Sequence, residues 1–302
     1  MKIVGLTYDL KTDYEFKEGD PLDANAEFDH PSTIDVIARA IESSGFKVKR
    51  IGNAANLLEK IDSLGVDIVF NISEGLAGRN RESQVPVLLE MASIPFVGAD
   101  ALTLGLTLDK IMAKKIFIAE NIPTPKFFEV KTPEELVNTD HCKFPLIVKP
   151  RFEGSSKGLS EASRVETKEE LKKQVEYIIT TYKQPALIEE FISGQEFTVA
   201  VVGNDPAEAL PVVQIKIDGR LKLNDKFYTF ARITSDRLEY ICPARITQEL
   251  KEKITQLALK TYRVVECRDF GRVDFRVDNS GKPYVLEINP LPSLSTEDTF
   301  AV

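Results

Sequence analysis

Apolar positions first gather at Lys2 to Thr7, a run whose length and flanks predict a short buried strand. After Pro31, Ile34, Ile37, Ala38 and Ile41 recur at helical spacing, with Ser32 and Asp35 set as a capping box and Gly45 as the stop. Phe46 to Arg50 reads as a strand again. Leu57, Ile61 and Leu64 return to helical spacing, Gly65 ends them, and Val66 to Phe70 forms the next strand. Such β-α-β-α-β alternation predicts a parallel sheet with helices on both faces. The segment Tyr8 to His30 between the first strand and first helix is long, charged and poor in apolar residues, and reads as a flap over a site.

The pattern changes in the later part of the chain. Thr107 to Glu120 has helical spacing closed by Pro123 and Pro125, and Pro145 to Lys149 is a strand that leads into a glycine-containing loop, Arg151 to Gly158. A charged helix, Lys168 to Thr181, precedes strands at Ala186 to Glu190, Glu196 to Val202, Leu210 to Ile217, Arg272 to Val277 and Pro283 to Ile288. A domain boundary is expected near residue 105. The fold class is α/β, with a doubly wound parallel sheet at the N-terminus.

With 302 residues, the chain should bury roughly 75% of the surface it exposes when unfolded. Lys and Arg number 39 against 47 Asp and Glu, a net charge of −8, which argues against general attraction to nucleic acid or anionic lipid. Any nucleotide must therefore be held by a local site. Cys142, Cys242 and Cys267 show neither disulfide-framework nor zinc-site spacing and read as buried reduced thiols. No apolar stretch reaches the length of about 18 residues that a membrane span needs. The cytoplasm is the expected location.

Chemistry concentrates in two segments. In Gly271-Arg-Val-Asp-Phe-Arg-Val277 and Pro283-Tyr-Val-Leu-Glu-Ile-Asn-Pro290, joined by the turn-rich Asp278-Asn-Ser-Gly281, alternation puts Arg272, Asp274 and Arg276 on one face, and Glu287 with Asn289 on one face. A pairing register of odd sum brings Asp274 opposite or diagonal to Glu287. Two carboxylates and an amide oxygen are the hard ligands that Mg²⁺ takes beside phosphates; the alternative is a solvated polar face on which Arg272 pairs Asp274. The second segment, Lys149-Pro-Arg-Phe-Glu-Gly-Ser-Ser-Lys-Gly158, follows a buried strand. Gly154 and Gly158 permit unusual backbone angles, and Ser155, Ser156 and the intervening amides could face phosphate oxygens; a polar hairpin turn is the alternative. Lys149, at the end of an apolar run, is placed as a phosphate point charge. Glu189, Glu190 and Glu196 flank Phe191-Ile-Ser-Gly194, as acceptors for a nucleotide or as a surface acidic cluster.

In order along the chain, these segments resemble the ATP-grasp superfamily and, within it, the D-alanine:D-alanine ligases. The resemblance rests on Glu74-Gly75, Arg81-Glu-Ser-Gln-Val-Pro-Val-Leu-Leu-Glu90, Ile94-Pro-Phe-Val-Gly98, Leu108-Asp-Lys110, Val148-Lys-Pro150, Glu153-Gly-Ser-Ser156, Leu187-Ile-Glu-Glu190, Gly194-Gln-Glu-Phe-Thr198, Cys242-Pro-Ala244, Gly271-Arg-Val-Asp274 and Leu286-Glu-Ile-Asn-Pro290. It implies three α/β subdomains, here 1–105, 106–186 and 187–302, with ATP clamped between the second and third. Lys110 and Lys149 would contact phosphates, Glu189 the adenine edge with Glu190, Phe191 and Ile192 beside it, and Glu196 the ribose. Ser155 and Ser156 would belong to a mobile glycine-rich lid, Ser155 also reaching the reacting groups. Asp274, Glu287 and Asn289 would hold two Mg²⁺ ions, for which Mn²⁺ could substitute. Arg272 would steady an acyl phosphate and a tetrahedral intermediate, and Arg232 matches a lysine directed at the γ-phosphate. The implied reaction is ATP-dependent amide formation between amino-acid-like small molecules, with a homodimer as the family expectation. The alternatives are a ligase for another substrate pair and a nucleotide-binding protein without turnover.

Departures from the family pattern cluster at the amino-acid subsites. Glu27, in Ala26-Glu27-Phe28-Asp29, is the nearest equivalent of the glutamate that binds the first substrate's ammonium. Ile233 follows Arg232 where the family has a tyrosine. The C-terminal motif reads Glu287-Ile-Asn-Pro-Leu-Pro-Ser293, and Asp298-Thr299 stands near the place where the family reads Ser-Leu beside an incoming carboxylate. Asp298 would repel that carboxylate, so a substrate presenting a cation is an option. The chain ends at Val302, soon after these residues, as a shortened chain would.

Overall fold

The computed structural model describes residues 1–136, 143–233, 235 and 237–300, except the side chain of Ile233. Cys142, Thr234, Asp236 and Val302 lie outside the described residues. The first unit alternates β1 (Ile3–Thr7), α1 (Pro31–Ser43), β2 (Lys47–Gly52), α2 (Ala54–Lys60), β3 (Ile68–Asn71), α3 (Gln84–Met91) and β4 (Phe96–Val97). Its strands form a parallel sheet in the order β2-β1-β3-β4, as the alternation predicts. Leu6, Ile34, Ile37 and Ala38 close one face, and Ile51, Leu57, Val69 and Leu89 the other.

Two local expectations change. The cap of α1 is His30, not Ser32: the ring Nδ1 accepts from Ser32 N at 3.4 Å. Pro31 explains the shift, because it needs no amide partner and its fixed φ suits the first helical position. The helix expected over Thr107 to Glu120 is two helices, α4 (Ala101–Leu108) and α5 (Lys110–Ala119). They meet at Asp109, whose extended ψ of 90° breaks the run and whose side chain accepts from Met112 N at 3.2 Å to start α5. Residue 105 lies within α4.

The middle of the chain supplies β5 (Phe127–Val130), β6 (Leu146–Pro150), β7 (Arg164–Val165), α6 (Lys168–Tyr182) and β8 (Ala186–Glu190). These strands pair antiparallel as β5-β8-β6-β7, with Leu171, Val175 and Ile178 of α6 buried on the sheet. The second sheet thus extends through Glu190.

The last unit comprises β9 (Gly194–Val202), β10 (Glu208–Ala209), β11 (Val213–Ile217), α7 (Phe230–Ile233), β12 (Leu238–Ile241), α8 (Gln248–Val264), β13 (Phe270–Asp278) and β14 (Pro283–Asn289). Its sheet runs β12-β11-β9-β13-β14, with β10 beside β9. Phe197, Val199, Val273, Phe275 and Val285 face Ile254, Ala258 and Tyr262 of α8 in a core cluster, so the alternate residues of β9, β13 and β14 form the other face of the sheet. The first unit docks on this one through stacked rings of Phe70 and Phe270, 5.7 Å apart, and through Gly98 N, which donates to Asp269 Oδ2 at 2.8 Å.

Candidate active site

The antiparallel register of β13 and β14 pairs Asp274 directly with Glu287 and Arg272 with Asn289. A bulge follows between Asp274 and Phe275. Asp274 and Glu287 therefore sit side by side on the face away from α8, as alternation predicts. Each is balanced by a cation. Arg272 donates through Nε and Nη2 to the two oxygens of Asp274, both at 3.0 Å, and Thr198 Oγ1 and Asn289 Nδ2 donate to the same carboxylate at 2.6 and 2.8 Å. Lys110 Nζ reaches Glu287 Oε2 at 2.7 Å from the first turn of α5. Burial would raise the Glu287 carboxyl, yet Lys110, Lys149 and Arg272 bring it down to about 2. Burial also opposes the charge of Arg272, and Asp274 overrides it and holds the guanidinium protonated. The pairing of Arg272 with Asp274 thus coexists with the shared-face carboxylates.

Two cavities meet at this point, and Lys110, Glu153, Gly154, Ser155 and Arg272 line both. The smaller, about 130 Å³, lies between the second and third sheets, with Lys149, Ser156, Glu189, Glu190, Phe191, Ile192 and Glu196 on its walls. The larger, about 350 Å³, lies toward the first unit and takes in Glu27, Glu74, Glu82, Asn289 and Asp298.

On the smaller cavity, the expected polar residues are brought together but already partnered. Glu189, 1% exposed, is gripped by both Lys149 and Lys114. Burial alone would raise its carboxyl, and the two ammonium groups bring it below the usual carboxylate range. Lys114 also donates to Thr124 Oγ1 at 2.7 Å, while its own burial lowers its pKa to about 8. Glu196 pairs with Arg276 at 3.0 Å, and the Arg276 guanidinium also donates to Ile192 O at 2.6 Å and lies 4.8 Å from the centre of the Phe191 ring. Lys114 escaped the sequence reading, although it stands one helical turn after Lys110, and Arg276 is placed by that reading on the face of Asp274 without a role.

The glycine-rich loop departs in detail. Left-handed backbone occurs at Ser155 (φ 46°), Ser156 (φ 55°) and Gly158 (φ 78°), not at Gly154. A side chain at Gly154 would instead approach Glu27 Oε1 at 3.0 Å, so that glycine admits a carboxylate. The expected flap packs on this loop. Glu27 accepts from Gly154 N at 2.5 Å and from Arg81 Nη2 at 2.6 Å, with Lys157 at 3.6 Å, and Asp23 accepts from Gly158 N at 2.7 Å and from Tyr182 Oη at 2.9 Å. Glu27 is therefore engaged by the protein rather than left open for an ammonium group. Arg232 points elsewhere too: it donates to Phe227 O at 2.6 Å, pairs with Glu161, and lines neither cavity. Its helical turn, α7, is held over the loop by Phe230 N, which donates to Leu159 O.

Comparison with known proteins bears on the whole arrangement. A family model described as D-ala D-ala ligase C-terminus matches residues 116–301. An uncharacterised protein of Sinorhizobium fredii, y4sG, is 38% identical over 78% of this chain and 68% of its own length. A D-alanine–D-alanine ligase of Carboxydothermus hydrogenoformans is 35% identical over 89% of this chain and 85% of its own. The crystal structure of the D-alanine–D-alanine ligase of Bacillus anthracis complexed with ATP superposes with a TM-score of 0.75 at 23% identity, covering 98% of this chain and 88% of that one, which shows a shared ATP-grasp fold. With the family model matched over its C-terminal part and ligase relatives at 30% identity or more along most of its length, this chain belongs to the D-alanine–D-alanine ligase family.

Proposed function

We propose that this protein couples ATP cleavage to formation of an amide bond between an amino-acid-like carboxylate and an amine. The observation that carries this reading is Asp274 opposed to Glu287, with Arg272 and Asn289 paired beside them, where the two cavities join. In the first step a carboxylate oxygen bonds to the γ-phosphorus of ATP, the β–γ bridging P–O bond breaks, and ADP leaves. In the second the amine nitrogen bonds to the acyl carbon, the C–O bond to phosphate breaks, and inorganic phosphate departs while the amine gives up a proton to it.

The chain's residues divide this work between the cavities. Phe191 and Ile192 would pack the adenine in the smaller one, with Glu196 near the ribose and Lys110 and Lys149 offering charge to the phosphates. Glu189 would act mainly by orienting Lys149 and Lys114. Asp274, Glu287 and Asn289 form a hard-oxygen set that fits Mg²⁺, two ions in this reading, with Mn²⁺ as a substitute. When bound, the metal supplies positive charge to the phosphoryl oxygens. Arg272, on the wall common to both cavities, would neutralise charge at the acyl centre. Ser155 and Ser156 would close over the site and keep water from the acyl phosphate. Glu27 would position the glycine-rich loop rather than bind substrate. A three-unit division, with the boundary expected after residue 186 moved to Glu190 because β8 belongs to the second sheet, a homodimer, a cytoplasmic location and small-molecule partners without nucleic acid or membrane belong to the same reading.

Incubation with ATP, Mg²⁺ and mixed D- and L-amino acids, followed by phosphate assay and mass spectrometry, tests it. Equal amounts of ADP and phosphate with a condensed product are expected. Phosphate release that no amino acid stimulates would overturn the proposal and leave a nucleotide-binding protein.

A further inference from the structure

Carboxylates outnumber cations around the larger cavity, and some are matched within the protein. Glu27 is held by Arg81 and the Gly154 amide, and Glu153 by Lys157 at 2.8 Å. The cations at the junction are engaged as well, Lys110 on Glu287 and Arg272 on Asp274. Asp29, Glu74, Glu82 and the exposed Glu297 line it with no ion pair among the described residues, and Glu74 and Glu82 stand together. Both line the cavity, and Glu82 is only 7% exposed. Glu74 is its carboxyl neighbour, and the charges of Arg81 and Lys110 reach it only from beyond ion-pair distance. Arg81, adjacent in sequence, turns its guanidinium to Glu27 and Phe152 O instead. No lysine or arginine among the described residues lies within ion-pair distance of either glutamate.

Two buried carboxyls facing one another can share one proton, but they balance a full negative charge only when a cation arrives. Burial and the charge of Glu27 raise both carboxyls against the charge of Arg81, so a cation entering the cavity would take the place of protons on the pair. An amino acid with an uncharged side chain offers one ammonium group to two carboxyls. A basic amino acid offers two positive charges, and its own carboxylate has Lys110 and Arg272 at the junction to face. Asp298, which lines the same cavity 4.0 Å from Arg272, makes it less hospitable still to a second anion.

We propose that Glu74 and Glu82 form a subsite for the cationic side chain of the substrate, so that the enzyme joins a basic amino acid of the lysine, ornithine or arginine type. This rests on the ligase reading above. It accounts for a family member whose nucleotide-side residues follow the pattern while its amino-acid side does not.

The test is amino-acid-stimulated phosphate release by the wild-type protein with the D and L forms of lysine, ornithine, arginine, alanine and norleucine, the last matching lysine in length without its charge. The best basic amino acid is expected to exceed norleucine by at least about tenfold in kcat/KM, in keeping with a charge-assisted hydrogen bond in a buried site. Glu82→Gln should lower the lysine-to-norleucine ratio by at least about tenfold, and Glu74→Gln serves the same purpose if the first variant does not fold. Stimulation by alanine or norleucine equal to that by lysine, or a ratio unmoved in the variants, would overturn the subsite while leaving the ligase reading intact. Silence toward every amino acid would remove both.

Discussion

The charges of this site are decided residue by residue. Asp274 carries contacts from Arg272, Thr198 and Asn289, so Asp274→Asn keeps the shape but gives up an anionic oxygen needed for the metal. Mg²⁺-dependent turnover should fall by at least about 100-fold; a variant with near wild-type turnover would remove Asp274 from the metal set. Glu82 gives a pH signature of its own. Burial pushes its carboxyl up to about 7, above the value of about 4.3 for an unfolded chain. Between those values the folded protein binds more protons than the unfolded one, so stability declines as pH rises through the window. Glu82→Gln removes that decline. Without ligand, its Tm should match the wild type near pH 4 and exceed it by a few degrees at pH 8. An offset that does not change with pH would show that Glu82 does not titrate in this window.

At the scale of elements, the glycine-rich loop after β6 is the most demanding piece of backbone. Gly158 combines φ of 78° with a hydrogen bond to Asp23, and a Cβ there would come within 2.4 Å of the Pro150 ring. Gly158→Ala should cost about 1–3 kcal/mol of stability and raise the KM for ATP more than it lowers kcat, which chemical denaturation and steady-state kinetics would show. The loop also marks how far sequence reading reaches. Its place after a buried strand was legible from Leu146 to Val148, and so was the shared face of Asp274 and Glu287, since both follow from periods of two. The positive φ angles at Ser155 and Ser156 were not, because serine carries no conformational mark of the kind glycine does. The break at Asp109 was hidden by apolar spacing that continues through it. Ion pairs that span the chain, such as Lys110 with Glu287 and Arg81 with Glu27, depend on how the three sheets come together, and no local pattern encodes them. Lys114 is the exception, since helical spacing from Lys110 was there to be read.

For the whole molecule, the first thirty residues tie the N-terminal sheet to the glycine-rich loop through Asp23 and Glu27. Asp23→Asn weakens a buried acceptor shared by Gly158 N and Tyr182, so amide exchange at residues 154–158 should accelerate at least about tenfold in hydrogen-exchange measurements. Unchanged protection would show that the loop is held from its own side alone. Arg272 has a wider consequence, because it stands in the wall between the two chambers. A compound that bridges this party wall, with adenosine on one side and a phosphorylated acid mimic on the other, would engage both compartments as a single guest. Its grip should far exceed that of either half, since the second half is delivered at the effective concentration set by the tether.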